Sequence, residues 1–253
     1  MRVILAEKPS VAQSIAAVLG ADQKKNGYLQ GENDIVSWCI GHLIKLAPPE
    51  IYDARYAKWR REDLPIVPSA WESVVSDGTK KQFAVLKDLL NRTDVDEVVC
   101  ATDAGREGEL IFRMAYEKTG CAKPVKRLWI SSLEESAIRE GFRARKPGTV
   151  YDALYRAALC RARADWLVGI NGTRLYSRLY GTKLNVGRVM TPTLAMLVQR
   201  EQEIAAFRVE PFYIVQFSCG FLAQSGRMKT REEAERIRAA CHCQKAAVKH
   251  IER

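Results

Sequence analysis

The stretch Val98-Val99-Cys100-Ala101-Thr102-Asp103-Ala104-Gly105-Arg106-Glu107-Gly108-Glu109-Leu110-Ile111 decides how the rest of the chain is read. Val98 to Ala101 is a short apolar run of the kind a fully buried parallel strand shows. Thr102 to Glu109 breaks that run with two glycines and three carboxylates, and helical spacing resumes from about Leu110 to Lys118. Strand, polar loop and helix in succession form the unit from which parallel α/β sheets are assembled.

The same unit opens the chain. Val3 to Ala6 is apolar and runs into Glu7-Lys8-Pro9-Ser10, after which Val11, Ile15, Val18 and Leu19 recur at helical spacing, with Ser10 expected as the N-cap. Asp34 to Ile40 reads as a second strand followed by a turn at Gly41-His42, and Pro48 to Pro68 as an irregular surface excursion. Gln82 to Leu90 reads as helix, Val125 to Ile130 as strand, and Ser132 as the cap of a helix carrying Glu134, Glu135, Ile138 and Phe142. The fold class is therefore α/β, a largely parallel Rossmann-like sheet domain over residues 1–147. Residues 148–208 read as a helical domain: an Arg-rich helix from Tyr151 to Tyr180, breaks at Gly181 and Gly187, and a helix capped by Thr191 with Pro192 first in it. Residues 209–253, with strand-like Phe212 to Phe221, helical Arg231 to Ala240 and strand-like Ala246 to Ile251, read as the beginning of a strand-rich domain.

A chain of 253 residues, 47% apolar and 28% charged, has the balance of a globular protein rather than a disordered one. It holds no apolar run of about 18 residues and no secretory leader, and its seven scattered cysteines do not make an even disulfide framework, so a cytoplasmic protein with reduced thiols is expected. The formal charge is +10, and between Arg139 and Arg200 twelve basic residues face only Glu140, Asp152 and Asp165. Nine of the ten net positive charges thus sit between Arg139 and Arg200, where arginine outnumbers lysine. Guanidinium groups suit bidentate phosphate contacts, which favours a nucleic-acid surface over a merely solvated helix face.

In parallel sheets, functional groups gather where strands hand over to loops at their carboxyl ends. Glu7 follows the first strand in this way, and Asp103 and Glu107 follow the third. If those strands are neighbours, three carboxylates converge, and the simplest neutraliser is Mg2+, a hard ion that prefers oxygen ligands. Spacing alone leaves an alternative: Glu7 paired with Lys8 or Arg106, and Glu107 and Glu109 in a helical first turn, where the dipole favours acids. Gly105 and Gly108 would let backbone approach a phosphate. No Gly-x-x-x-x-Gly-Lys-Ser/Thr stretch and no Gly-x-Gly-x-x-Gly after a strand exist, so neither an ATP loop nor a dinucleotide site is supported. Cys241-His242-Cys243 lacks the second ligand pair of a zinc site and reads as a helix end. His42 is a candidate base or phosphate contact, and Trp59, between Lys58 and Arg60-Arg61, is a candidate base-stacking residue or a loop anchor.

Ala6-Glu7-Lys8-Pro9-Ser10-Val11 with Ala101-Thr102-Asp103-Ala104-Gly105-Arg106-Glu107-Gly108-Glu109-Leu110-Ile111 resembles the TOPRIM domain of type IA DNA topoisomerases, and specifically of their bacterial topoisomerase III group. Arg161 to Asn171 and Asn185 to Leu194 resemble that family's helical DNA-gripping domain, in the same order along the chain. The resemblance implies a catalytic role for Glu7, phosphate steadying by Lys8, and Mg2+ held by Glu7, Asp103 and Glu107. It places Trp59, Arg161, Trp166, Arg174, Asn185, Val186, Gly187, Arg188, Val189 and Met190 against DNA, preferentially single-stranded. Two positions depart from the family pattern: Gly105 stands where a second aspartate is usual, and Met190 where glutamine is frequent.

The implied chemistry is ATP-independent transesterification, in which a tyrosine hydroxyl attacks a phosphodiester and stores the broken bond as a 5′-phosphotyrosyl link. The family's nucleophile sits in a Thr-Tyr-Pro-Arg-type context, and none of the nine tyrosines has such neighbours, Tyr176, Tyr180 and Tyr213 included. The expectation is therefore an N-terminal fragment that binds DNA and metal without cleaving. A TOPRIM-type nuclease or primase, and a non-enzymatic DNA-binding module, are the alternatives.

Overall fold

The structure is a computed structural model that describes residues 1–218, 222–245 and 247. In chain order the elements are β1 (Arg2–Ala6), α1 (Pro9–Leu19), β2 (Gln23–Lys25), β3 (Tyr28–Gln30), β4 (Asp34–Trp38), β5 (Ile44–Leu46), α2 (Pro49–Tyr52), β6 (Ser73–Val75), α3 (Lys80–Leu90), β7 (Glu97–Ala101) and α4 (Arg106–Thr119). There follow β8 (Val125–Arg127), α5 (Glu135–Arg143), β9 (Lys146–Pro147), α6 (Asp152–Tyr180), α7 (Met190–Ala205), β10 (Gln216–Ser218), β11 (Leu222–Gln224) and α8 (Arg231–Cys241). Two compact units emerge, Met1–Pro192 and Thr193–Arg253.

The first unit is built on a sheet of order β2-β3-β4-β1-β7-β8-β9. Its centre is parallel, with β1 between β4 and β7 and β8 beyond, while β2, β3 and β9 add antiparallel edges. The α/β class read from the sequence is the one observed. Alternation along the central strands divides their side chains between two cores. Val3, Leu5, Ile35, Val98 and Cys100 face α3, α4 and α6, meeting Leu86, Leu90, Phe112 and Ala158. Ile4, Ala6, Val36, Val99 and Ala101 face α1 and α5, meeting Ala12, Ile15 and Ile138. Covered on both faces, β1 buries Val3 to Ala6 completely, which is why it reads as a continuous apolar run.

Several expected boundaries shift, each for a local reason. Proline fixes a helical φ at Pro9, so α1 starts there with Lys8 at the N-cap, and Ser10 lies inside the helix. Helix α4 begins at Arg106 rather than near Leu110, because Gly105 is its N-cap and the acidic residues Glu107 and Glu109 sit in its first turn. Ser132 Oγ accepts from the Glu134 N–H but does not cap α5, whose N-cap is Glu134. Helix α7 begins at Met190, one residue before Thr191, whose Oγ1 instead accepts from the Gly187 N–H. The strand over 125–130 is confined to Val125–Arg127. The β2–β3 hairpin was not legible, since its residues are mostly polar and half-buried at best.

The excursion between β5 and β6 holds α2 and a short 3-10 turn, and α6 pins it from one broad side. Trp166 Nε1 donates to Ala47 O at 2.9 Å, and Arg174 Nη1 to Tyr56 O at 2.8 Å. Asn171 clamps Ile66 at both backbone groups: Ile66 N donates to its Oδ1 at 2.6 Å, and its Nδ2 donates to Ile66 O at 2.9 Å. In the second unit, β10 and β11 form a hairpin, and Val215, Met228 and Ala234 make a small core under Tyr213, Phe217 and Ile237. The strand read over 212–221 is observed only over Gln216–Ser218, and its end and most of the strand expected over 246–251 lie outside the described residues. Among the described residues no helix is long and apolar enough to cross a membrane.

Replacing Asn171 with alanine strips the buried Ile66 N–H and C=O of their partner, which costs roughly 1–3 kcal/mol for each group left unpaired. Urea unfolding should show this loss, and limited proteolysis should cut faster between Asp53 and Pro68. Wild-type values in both assays would show that the clamp contributes nothing.

Candidate functional site

Hydrogen-bond register places the acids. β1 and β7 are parallel neighbours with Ala6 opposite Ala101, so the chain leaves both strands at the same edge. Glu7 follows immediately, Asp103 follows after Thr102, and the Asp103 N–H donates to Glu7 Oε2 at 3.2 Å. On the other side of β1, Cys39 N donates to Ala6 O, which carries the Gly41-His42 turn to the same edge. Gly41 has φ +61, the left-handed region, and this sharp turn exposes His42.

Of the three carboxylates expected to converge, Glu7 and Asp103 are brought to the same edge, the Glu7 carboxylate on the Asp103 backbone, while Glu107 is engaged elsewhere. Glu107 projects from the first turn of α4, and its Oε1 lies 2.7 Å from His42 Nε2. An imidazole thus takes up the carboxylate that spacing had assigned to the cluster. Among the described residues no group of three His, Cys, Asp or Glu side chains is close enough to hold a metal ion. Glu7 and Asp103 still present hard oxygen donors at one point of the sheet edge, so the donor set fits Mg2+ in kind. Lys8 is exposed at the N-cap of α1, beside Glu7 in the chain.

The two glycines have different parts. Gly108 packs on the loop itself: a Cβ there would fall 2.2 Å from Asp103 O, and Gly108 O accepts from Thr102 Oγ1 at 2.8 Å. Its small size serves an internal contact that a side chain would break. Gly105 is extended, at φ −179 and ψ 176, and a Cβ there would meet nothing within 4 Å. Neither backbone nor packing requires glycine at 105.

Glu109, read as a first-turn acid, is buried and salt-bridged on both oxygens. Oε1 lies 2.9 Å from Arg113 Nε and Oε2 lies 3.1 Å from Arg127 Nε. Arg113 continues to Asp152 Oδ1 at 2.8 Å, at the start of α6. Burial pulls the Arg113 guanidinium down, yet its hydrogen bonds to Glu109 and Asp152 outweigh this and leave it raised. Arg127, fully buried, had no signal in the sequence beyond an arginine ending an apolar run. Burial pushes the neighbouring Cys100 thiol up to about 11, so it stays protonated and inert at neutral pH.

A cleft of about 360 Å³ opens beside Glu107, floored by Ile44, Leu110, Met114 and Ala158 and rimmed by His42, Lys45, Arg161, Asp165 and Trp166. Asp165 Oδ1 holds Arg188 Nε at 2.7 Å, which ties the 185–190 segment to this rim, with Arg161 at 3.8 Å on the other oxygen. The segment is also docked along α6. Val186 N donates to Thr173 Oγ1 at 2.9 Å, and Gly172 leaves room for Val186, whose Cγ1 would lie 2.8 Å from a Cβ there. Asn185, Val189 and Met190 are exposed, while Val186 and Gly187 are half-buried.

Two of the expected DNA contacts, Trp166 and Arg174, are engaged inside the protein, and a third, Trp59, is exposed but paired with Arg174. Trp166 is half-buried, edge-on to both Tyr52 and Trp71. Arg174 is buried with its guanidinium 5.4 Å from the Trp59 ring, and burial lowers its pKa. Trp59 and Arg174 form their own pair at the excursion and do not line the cleft.

Set against known proteins, the chain matches the Toprim domain family over residues 2–133 and a DNA topoisomerase family over 149–253. It is 51% identical over 211 residues to DNA topoisomerase 3 of Bacillus subtilis (strain 168), covering 83% of this chain and 29% of that protein. With DNA topoisomerase 3 of Shouchella clausii (strain KSM-K16) it shares 52% identity over 214 residues, 85% of this chain and 29% of the other. Full-length topoisomerase I from Thermotoga maritima superposes with a TM-score of 0.64 at 25% identity, over 95% of this chain and 37% of that one. The chain thus spans 29% of the length of these topoisomerase 3 relatives. A Toprim match over more than half of the residues, followed by the topoisomerase match, establishes that the chain belongs to the Toprim-containing DNA topoisomerases, the type IA family its motifs resemble.

Proposed function

We propose that this chain supplies the acidic site and the DNA-gripping helix of a cytoplasmic type IA topoisomerase, which breaks and rejoins single-stranded DNA without ATP. The observation that carries the reading is the meeting of Glu7 and Asp103 at one sheet edge, beside a cleft rimmed by Arg161, His42 and Lys45. In this reading the chain is organised as residues 1–147, 148–208 and 209–253.

Single-stranded DNA lies against Arg161, Arg188 and the exposed residues of the 185–190 segment. Val186 and Gly187 shape that segment, and Trp166 and Arg174 hold the excursion that presents Trp59. Cationic side chains here neutralise phosphates, and Trp59 offers a face for a base. Glu7 stands where a carboxyl can pass a proton to a leaving 3′ oxygen, and Lys8 where an ammonium can steady the phosphate. Mg2+, when bound through Glu7 and Asp103 with Glu107 joining them, supplies positive charge against the phosphate oxygens. No tyrosine of the chain has the expected nucleophile context, so the 253 residues alone bind DNA and leave it uncut.

Two outcomes test this. The purified chain should bind single-stranded oligonucleotides with an affinity that falls by orders of magnitude between about 50 and 200 mM salt, as phosphate neutralisation demands. It should leave supercoiled plasmid unchanged. A salt-independent affinity, or relaxation of the plasmid, would refute the reading.

Replacing Gly105 with aspartate adds a carboxylate where backbone and space both permit one, and aspartate is a favoured N-cap residue, here for α4. The variant should fold with an unchanged or slightly higher Tm and bind Mn2+ several-fold more tightly by calorimetry. Unchanged Mn2+ affinity would place the cation away from this loop.

A further inference from the structure

Arg127 ends β8, parallel to β7 with Cys100 opposite it, and its side chain passes beneath the β7-to-α4 turn with no exposed surface. One edge of the guanidinium is spent on backbone. Nη1 donates to Thr102 O at 2.7 Å, Leu128 O at 3.1 Å and Cys100 O at 3.2 Å, and Nη2 donates to Asp103 O at 2.6 Å. Its Nε faces Glu109 Oε2 at 3.1 Å, and the plane is covered by Trp129, whose ring centre is 5.1 Å from Cζ and which stacks on Tyr151.

The Asp103 peptide is therefore held from both ends. Its N–H is fixed on Glu7, its C=O on Arg127, and Gly108 presses on the carbonyl oxygen from the helix side. Only the carboxylate is left to face outward. A buried cation hydrogen-bonded to successive carbonyls is an expensive way to close a turn, since burying charge carries a large desolvation cost. What it provides is a planar fork of donors that sets the angle of several peptide units at once, which a lysine's single ammonium does not reproduce.

We propose that Arg127, oriented by Glu109, is a positioning residue for the divalent-cation site: it fixes the Asp103 backbone so that the Asp103 and Glu7 carboxylates share one ion. The inference rests on the cation reading above and adds a residue outside the acidic motif. Arg127 touches neither ion nor DNA; its effect is on cation affinity through the geometry of Asp103. Groups that orient metal ligands typically change metal affinity by about 10–100-fold when removed.

The test uses the full 253-residue chain and measures three quantities: Mn2+ affinity by calorimetry or electron paramagnetic resonance, affinity for a single-stranded oligonucleotide in EDTA, and Tm. Arg127→Lys keeps the buried charge but loses the fork. A double variant, Arg127→Met with Glu109→Leu, removes both charges while keeping an apolar fill, the exchange that buried ion pairs tolerate best. Asp103→Asn reports on the site itself. The expected result is Mn2+ binding weakened about tenfold or more in Arg127→Lys and in the double variant, with oligonucleotide affinity in EDTA within about twofold of wild type. If Arg127→Lys fails to fold, the double variant decides. Wild-type Mn2+ affinity in either folded variant overturns the positioning role, as does a parallel loss of oligonucleotide binding, which would make Arg127 merely structural. Wild-type Mn2+ affinity in Asp103→Asn would remove the cation reading, and the positioning role with it.

Discussion

The pairing of β1 with β7, in the register that sets Ala6 beside Ala101, is the constraint on which the site depends. A shift by one residue would turn every inward side chain of β1 to the other face and carry Glu7 away from Asp103. Burial holds the register. Both faces of β1 are covered, one by α3 and α4 and the other by α1 and α5, so a slip would draw charged Arg2 or Glu7 into the space that Val3 to Ala6 fill. Because the strands are parallel, both hand over to loops at the same edge, and residues 96 positions apart become hydrogen-bonding neighbours.

A second order of contacts links this edge to α6. The path runs from the Asp103 carbonyl through Arg127, Glu109 and Arg113 to Asp152, at the head of α6. Charges this deep are weak evidence for stability, since their desolvation offsets most of their mutual attraction. They are strong constraints on geometry, because any member left unpaired in the interior is costly. The acid loop and the arginine-bearing helix are thus joined by oriented groups as well as by the apolar contact of α4 with Ala158 and Leu159.

Along α6 itself, residues that a DNA-binding reading sends outward are divided. Arg161 stays at the rim of the cleft and shares Asp165 with Arg188, whereas Asn171 and Arg174 face the excursion and fasten it, and Trp166 both lies at the rim and fastens the excursion. Large aromatic and guanidinium groups carry both apolar area and donors, so either task is open to them. Which one each performs follows from whether a backbone carbonyl lies within reach. Ala47 and Tyr56 offer such carbonyls, and Trp166 and Arg174 take them.

The sequence by itself determined the α/β class, the strand–loop–helix units around Glu7 and Asp103, the Arg-rich helix and the family. These rest on local patterns: apolar runs, helical periodicity and charge spacing, all readable in a single segment. Only the tertiary structure decided that Glu107 bonds His42, that Gly108 packs on Asp103 while Gly105 has open space, and that Glu109 is a buried partner of Arg127 and Arg113. An acidic side chain in a helical first turn looks the same in sequence whether it meets water, a cation or a buried guanidinium. What settles the matter is which distant segment the fold brings against it, and that depends on strand order and the packing of helices on the two sheet faces, not on neighbours along the chain.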